Sequence, residues 1–348
     1  MGYVDGMHAA HTRDLVTRLM DGYLSTQMLY VAVRLGLFDR LADGPRTSAQ
    51  LAAGVGAAVA PLHRLLRGLV LEGLLSEEPD GRFGVTDAGR LLHGNGANGA
   101  GSLRGAVLAR GALYYRGAGG LLETIRGGGS AFRHAYGVEM FEHLASCPED
   151  ATIFQLSMLA RSQQEADALV ATYDFGQFGH VVDIGGGYGV TLAAILSACA
   201  GVRGTLFDRP DVATSARTRL AAAGVADRAT VVGGDFFESV PRDGDVYVLS
   251  RVLHDWNDDE AVRILTSCRS VMTNRSRLVI VEAILGEYVH DDTVAVRMDL
   301  HMLTLATGRE RTTAEFVSVL RAARFRIGRI LTPGKMPGIH ILEATPDI

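Results

Sequence analysis

The sequence predicts an α/β protein in two parts. A mostly helical N-terminal domain spans residues 1–100. Residues 101–348 hold a helical region that leads into a domain on a mostly parallel sheet, with its core starting at about residue 178. Three observations carry this expectation. The chain has 348 residues, a length that suits two domains. Beyond residue 178, apolar strand-like runs alternate with helical ones, as in strand–helix–strand units. The first of those runs passes straight into a glycine-rich turn and then a helix.

Each element has its own signal. Between residues 12 and 40, Leu15, Leu19, Tyr23, Leu24, Met28, Val31 and Leu35 recur at helical spacing and predict one or two amphipathic helices. Thr47 to Gln50 reads as a capping box before a short helix. A further helix is expected from Val59 to Glu72, with Pro61 in its first turn and Gly73 near its end. Two short strands, Leu74–Glu78 and Arg82–Val85, flank a Pro-Asp-Gly turn, and Thr86 caps a last helix through Leu92. This is the pattern of a winged helix. Gly94–Gly101 reads as a linker, and residues 103–178 as helical with a break at Gly127–Gly129. The alternating region then predicts strands at His180–Ile184, Gly204–Asp208, Ala229–Val232, Asp245–Val252 and Leu278–Ile284. Helices lie at Val190–Ala200, Ala213–Ala223 and Glu260–Val271. A helix at Thr313–Ala323 precedes two strands, Arg326–Leu331 and Gly338–Glu343, a terminal pair that places one antiparallel strand in such a sheet.

Composition excludes several classes. With 47% hydrophobic and 21% charged residues the chain is an ordinary globular protein, not a disordered one. A net charge of −5 lacks the basic footprint of a nucleic-acid binder. Five arginines balance five acids between residues 45 and 95, so the winged module has no phosphate-steering patch either. Cys147, Cys199 and Cys268 are far apart, which speaks against a disulfide framework or a structural zinc site. The N-terminal residues show no signal peptide, and no apolar stretch is long enough to span a membrane. The expectation is a cytoplasmic protein with no nucleic-acid or membrane partner. Lys335 is the only lysine among 34 basic residues, and 42 glycines accompany abundant alanine, a bias of GC-rich bacterial genes.

The chemistry concentrates on the edge of the predicted sheet. In Val181–Gly189 (VVDIGGGYG), glycines let the backbone approach a ligand and aim amides at it. Position 190 is Val, so the third glycine of the dinucleotide fingerprint is missing. Asp183 adds a carboxylate that repels phosphate and suits a cationic ligand. Asp208 ends the next strand, where an acid accepts from ribose hydroxyls, and Asp235 follows the third. A ligand with ribose, adenine and a positive amino-acid portion satisfies all three, and S-adenosylmethionine has that composition. Helix capping is the competing use of such acids.

These runs, together with Phe207–Asp211 (FDRPD), Val232–Phe236 (VGGDF), Leu253–Trp256 (LHDW), Val281-Glu282 and Gly308–Thr312 (GRERT), resemble the S-adenosylmethionine-dependent small-molecule O-methyltransferases. That family includes plant caffeic-acid and flavonoid enzymes and bacterial antibiotic-tailoring enzymes. The resemblance covers nearly the whole chain. It implies a Rossmann-like seven-stranded sheet, a winged-helix dimerisation domain and a homodimer through the N-terminal helices. It also implies S-adenosylmethionine as cofactor, with S-adenosylhomocysteine as product and no metal. Residue by residue, it assigns Gly185, Gly187 and their neighbours to the methionine portion and Asp208 to the ribose. Asp235 and Phe236 go to the adenine, and Ser250 and Arg251 to a further cofactor contact. His254 becomes the general base, and Glu282 and Glu310 the acids that hold its ring.

The chemistry has a reason to need them. A phenol of pKa near 10 is about 0.1% ionised at neutral pH and is a poor nucleophile. A histidine takes the proton as the oxygen attacks, worth about 10²–10⁴-fold. The expected reaction is methylation of a small aromatic hydroxyl in a bacterial secondary metabolite. Two alternatives stand beside it: a cofactor-binding enzyme of this fold that catalyses a rearrangement or hydroxylation, and a cofactor-sensing winged-helix regulator. The acids at 255, 258, 259 and 260, and those at 291 and 292, read as helix N-termini rather than metal sites.

Overall fold

A computed structural model describes residues 12–94, 102–334, 336 and 338–347. The chain divides into two compact units, Met1–Arg116 with Leu144–Ala160, and Gly117–His143 with Arg161–Ile348. The helices after residue 101 are therefore shared between the units. Leu108, Ala109 and Ile153 lie in the N-terminal core, which is why the division does not fall at residue 100.

The N-terminal unit begins with α1 (12–20), α2 (Gly22–Arg34) and α3 (Leu37–Arg40). It continues through β1 (Arg46–Thr47), α4 (Ser48–Val55), α5 (Val59–Leu71), β2 (Leu75–Glu77), β3 (Arg82–Val85), α6 (Asp87–Arg90) and α7 (Arg104–Ala109). Thr47 and Gln50 make the expected capping box, and Thr86 caps α6. Helix α5 buries Leu62, Leu66 and Leu69 on one face, against a core that includes Phe38 and Phe83. The hairpin gains a third strand, because β1 pairs with β3 in the order β1-β3-β2. Of the apolar stripe expected to be covered, Leu15, Leu19, Tyr23 and Leu24 are exposed. Apart from Gly94, the linker at 94–101 lies outside the described residues.

A π turn (Arg110–Tyr114) and α8 (Tyr115–Ala118) lead to α9 (Leu121–Gly127), α10 (Ala131–Tyr136), α11 (Met140–Ser146) and α12 (Pro148–Thr172). The break after α9 is made by Gly128 and Gly129, both left-handed at φ 77° and 79°.

The sheet domain runs β4 (His180–Ile184), α13 (Val190–Ala198), β5 (Arg203–Asp208), α14 (Pro210–Ala222), β6 (Ala229–Gly233), β7 (Val246–Ser250), α15 (Asp258–Val271), β8 (Arg277–Leu285), α16 (Thr293–Leu305), β9 (Arg311–Thr312), α17 (Thr313–Ala322), β10 (Phe325–Leu331) and β11 (Ile339–Pro346). The strand order is β10-β11-β8-β7-β4-β5-β6, with β9 attached to β8. Strands β4 to β8 are parallel and β11 is antiparallel to β8, as the terminal pair predicts. Two apolar layers cover the sheet, one around Leu192, Leu206 and Leu220, the other around Leu249, Ile264 and Phe316. Burial on both faces explains why the parallel strands read as continuous apolar runs. Strand addition reverses direction between β4 and β7, the place where open α/β sheets bind ligands at their carboxyl edge. No single helix among the described residues is long and apolar enough to cross a membrane.

Candidate active site

The glycine loop after β4 is folded against β5. Gly187 is left-handed at φ 54°, and its amide donates to Asp208 at 2.8 Å. Gly185, at φ 66°, has no room for a side chain, since a Cβ there would stand 2.7 Å from Val252. The second oxygen of Asp208 accepts from the amide of Arg209 at 2.7 Å. Burial raises the pKa of this half-buried carboxyl, and the two amides offset part of that rise. Asp235, two residues past β6, is exposed and accepts from the Phe237 amide at 2.8 Å. The ring of Phe236 meets Phe237 and Trp256 edge-on, at 5.0 and 5.8 Å between centroids. Ser250 ends β7 beside β4.

Asp183 stands apart from these. It is 1% exposed, and neither carboxylate oxygen meets a hydrogen-bond partner among the described residues. Burial and the charge of Asp208 push its pKa up to about 7. An unsatisfied acid under a backbone cradle fits a ligand that carries positive charge and hydrogen-bond donors. S-adenosylmethionine is such a ligand, so the residues present fit it.

His254 does not end a strand. It sits on a 3₁₀ turn, Leu253–Asp255, past the end of β7, and is buried rather than facing solvent. Arg311 clamps this turn. Fully buried, it donates to the carbonyls of Leu253 and Trp256 at 2.7 and 2.8 Å and to Asp258 at 2.9 Å. Gly308 lets the loop before β9 lie directly on the turn, where any Cβ would run into the carbonyl of His254.

The two acids divide their work. Oε1 of Glu310 lies 3.1 Å from Nδ1 of His254. Glu282 lies 3.9 Å from that nitrogen and instead accepts from the main-chain amide of His254 at 3.3 Å. Glu310 thus contacts the imidazole directly, whereas Glu282 contacts the main chain of the turn. Glu282 also stands within β8 rather than at its end, fully buried.

Arg251 is placed differently from its expected role. Its guanidinium donates to Glu282 at 2.9 Å and to Glu310 at 2.8 Å, with Glu165 of α12 at 3.9 Å. Its side chain faces these carboxylates, while its backbone follows directly on the end of β7. That backbone is left-handed, φ 57°, a conformation that costs a non-glycine residue about 1 kcal/mol or more. The imidazole and the two glutamates have a spacing that suits an ion, but this guanidinium already supplies the positive charge.

Three participants carry no clear sequence signal. Asp255, read as part of a helix N-terminus, has Oδ1 3.5 Å from Nε2 of His254. Glu165 reaches the cluster from α12, and Arg311 follows directly on Glu310. Asp258, Asp259 and Glu260 lie in the first turn of α15, where Glu260 completes a capping box with Asn257, and Asp292 caps α16.

Comparison with known proteins gives the family. Residues 119–326 match the O-methyltransferase domain, and residues 17–95 the O-methyltransferase dimerisation domain. The phenazine O-methyltransferase of Lysobacter antibioticus is 40% identical over 332 residues, which is 95% of this chain and 96% of the relative. The structure of the mitomycin 7-O-methyltransferase superposes with a TM-score of 0.92 at 33% identity, covering 98% of this chain and 99% of that one. An O-methyltransferase from neocarzinostatin biosynthesis, solved with S-adenosylmethionine and 2-hydroxy-5-methyl naphthoic acid, gives 0.79 at 32% identity, over 92% and 96% of the two chains. The chain belongs to the S-adenosylmethionine-dependent O-methyltransferases, and S-adenosylmethionine is its cofactor.

Proposed function

We propose that this enzyme methylates a hydroxyl of a small aromatic secondary metabolite, with His254 as the general base. The observation that carries the reading is the contact between Nδ1 of His254 and Glu310. An ionised carboxylate only accepts, so Nδ1 holds the ring proton and Nε2 presents its lone pair. Glu310 is kept ionised: burial alone would raise its pKa, but the charges of His254 and Arg251 bring it down to about 2.

Gly185, Gly187, Asp208, Asp235, Phe236, Ser250 and the backbone of Arg251 would hold the cofactor, with Asp183 beneath the loop. When bound, S-adenosylmethionine supplies an electrophilic methyl group on a cationic sulfur. The chain's own work is to fix the acceptor oxygen and take its proton at Nε2, while Glu310 stabilises the imidazolium that results. Holding the reactants in line is worth about 7–11 kcal/mol at best. An aromatic acceptor follows from the phenazine and naphthoic-acid relatives. The exposed apolar residues of α1 and α2 suit a homodimer through those helices, and the cytoplasm is the proposed location.

The test is to incubate the enzyme with S-adenosylmethionine and a panel of hydroxylated phenazines, naphthoates and benzoates, then analyse products by mass spectrometry. One methyl group gained on oxygen per S-adenosylhomocysteine released is expected. An altered product with the cofactor recovered unchanged, or a methyl group on nitrogen or carbon only, would overturn the reading.

A further inference from the structure

We propose that Arg251 is a positioning residue for catalysis, which weakens the pull of Glu282 and Glu310 on a proton at the His254 ring by holding both acids in its guanidinium fork. The proposal rests on His254 being the base. Its grounds are a census of the charges that face the ring.

Carboxylates approach the imidazole from several elements. Glu310 comes from the loop before β9, Glu282 from β8 and Asp255 from the turn itself, at 3.1, 3.9 and 3.5 Å. Glu165 of α12 stands behind them, 3.9 Å from Arg251. Arg161 is 2.7 Å from Glu165 and neutralises that acid locally. Among the described residues, Arg251 alone contacts both Glu282 and Glu310 as a cation.

The geometry makes the competition direct. Oε1 of Glu310 is shared by Nη2 of Arg251 at 2.8 Å and Nδ1 of His254 at 3.1 Å. Each hydrogen bond the guanidinium donates to that oxygen weakens the oxygen's pull on a ring proton. Without Arg251, the ring would face an uncompensated excess of negative charge. The imidazolium would then be favoured, and it has no lone pair at Nε2 to accept a phenolic proton.

The backbone points the same way. Arg251 adopts the left-handed region, and its amide donates to Val281, next to Glu282, at 2.9 Å. The strained residue ties the end of β7 to β8 and turns its side chain into the carboxylates. The planar fork spans both acids, which a lysine ammonium, a single point of charge, does not.

The experiment uses the full-length protein with Arg251→Met, Arg251→Lys and Arg251→Met/Glu282→Gln. The His254 ring is titrated by ¹⁵N NMR without cofactor, assigned by its loss in His254→Gln, and the pH profile of kcat/KM is measured beside it. In Arg251→Met, the ring midpoint and the acid limb should both rise by about one pH unit. Activity should fall about tenfold near pH 7 and recover to within a few-fold of wild type at about pH 9. Arg251→Lys, which keeps a cation, should show a smaller rise in the same direction. If Arg251→Met fails to fold, the lysine and double variants carry the test, the double returning the midpoint to near wild type because one charge of each sign is gone. A midpoint unchanged or lowered in the folded single variants, or an equal activity loss at both pH values, would overturn the proposal. A shifted ring midpoint with His254→Ala still active would leave the tuning intact and refute the base instead.

Discussion

Nδ1 of His254 stands 3.1 Å from Oε1 of Glu310, and that contact orients the buried ring. On the proposed reading the ionised carboxylate accepts from Nδ1, and Nε2 takes the phenolic proton. In Glu310→Gln the amide oxygen still reaches the ring, but the imidazolium loses its counter-charge. The variant should lose about tenfold or more in kcat, with the acid limb of its pH profile moved to lower pH. Steady-state kinetics across pH checks this.

Burial and Arg251 push the His254 pKa down, yet Glu282, Asp255 and Glu310 outweigh them, and the net value lies above the usual 6.5. A base works only when neutral, so kcat/KM should fall with decreasing pH through a midpoint above 6.5. The stability linkage runs the other way. A raised histidine pKa stabilises the fold below 6.5, and that contribution is lost as pH rises through the folded value. A kinetic midpoint below 6.5 would show that the carboxylates do not govern the ring.

Gly308 and Arg311 fix the turn that carries His254. A methyl group at Gly308 collides with the carbonyl of His254, so Gly308→Ala should cut kcat about 10²-fold or more while cofactor affinity changes little. Arg311→Met removes two carbonyl contacts and leaves those groups unpaired. A loss of about 3 kcal/mol in urea denaturation is expected, together with lower kcat.

Asp183 trades stability for binding. Its pKa is about 7 in the folded protein against 3.8 ordinarily, so folding keeps a proton on it between those values. The fold is penalised progressively as pH rises from 3.8 to 7, and fully above that. Without cofactor, Asp183→Asn should therefore melt about 3 °C or more above wild type at about pH 8, and by a smaller margin at about pH 5. The same variant should bind S-adenosylhomocysteine about tenfold more weakly by calorimetry, because the acid beneath the loop is gone.

Much of this was legible in the residues because local physics dominated there. Glycines at 185 and 187, acids at 208 and 235, and the capping box at Thr47 act within a few positions of their own elements. Parallel strands buried on both faces announced themselves as apolar runs, and His254 stood in a run of motifs. What stayed hidden depends on distant packing. Glu165 meets Arg251 only because α12 lies beside the β7 turn. The side-chain contacts of Asp255 and Arg251 are not legible because a charged side chain's sequence position does not say which way it turns. Glu282 and Glu310 looked equivalent as two acids; only the fold shows that one contacts the main chain of the turn and the other the ring. The third strand of the wing and β9, two residues each, were too short to carry a pattern.

The most direct test of the account is the turnover of His254→Ala set beside its equilibrium affinity for S-adenosylmethionine. The account predicts a loss of about 10²-fold or more in kcat, with cofactor affinity within a few-fold of wild type. A variant that turns over a phenolic acceptor at the wild-type rate would contradict it.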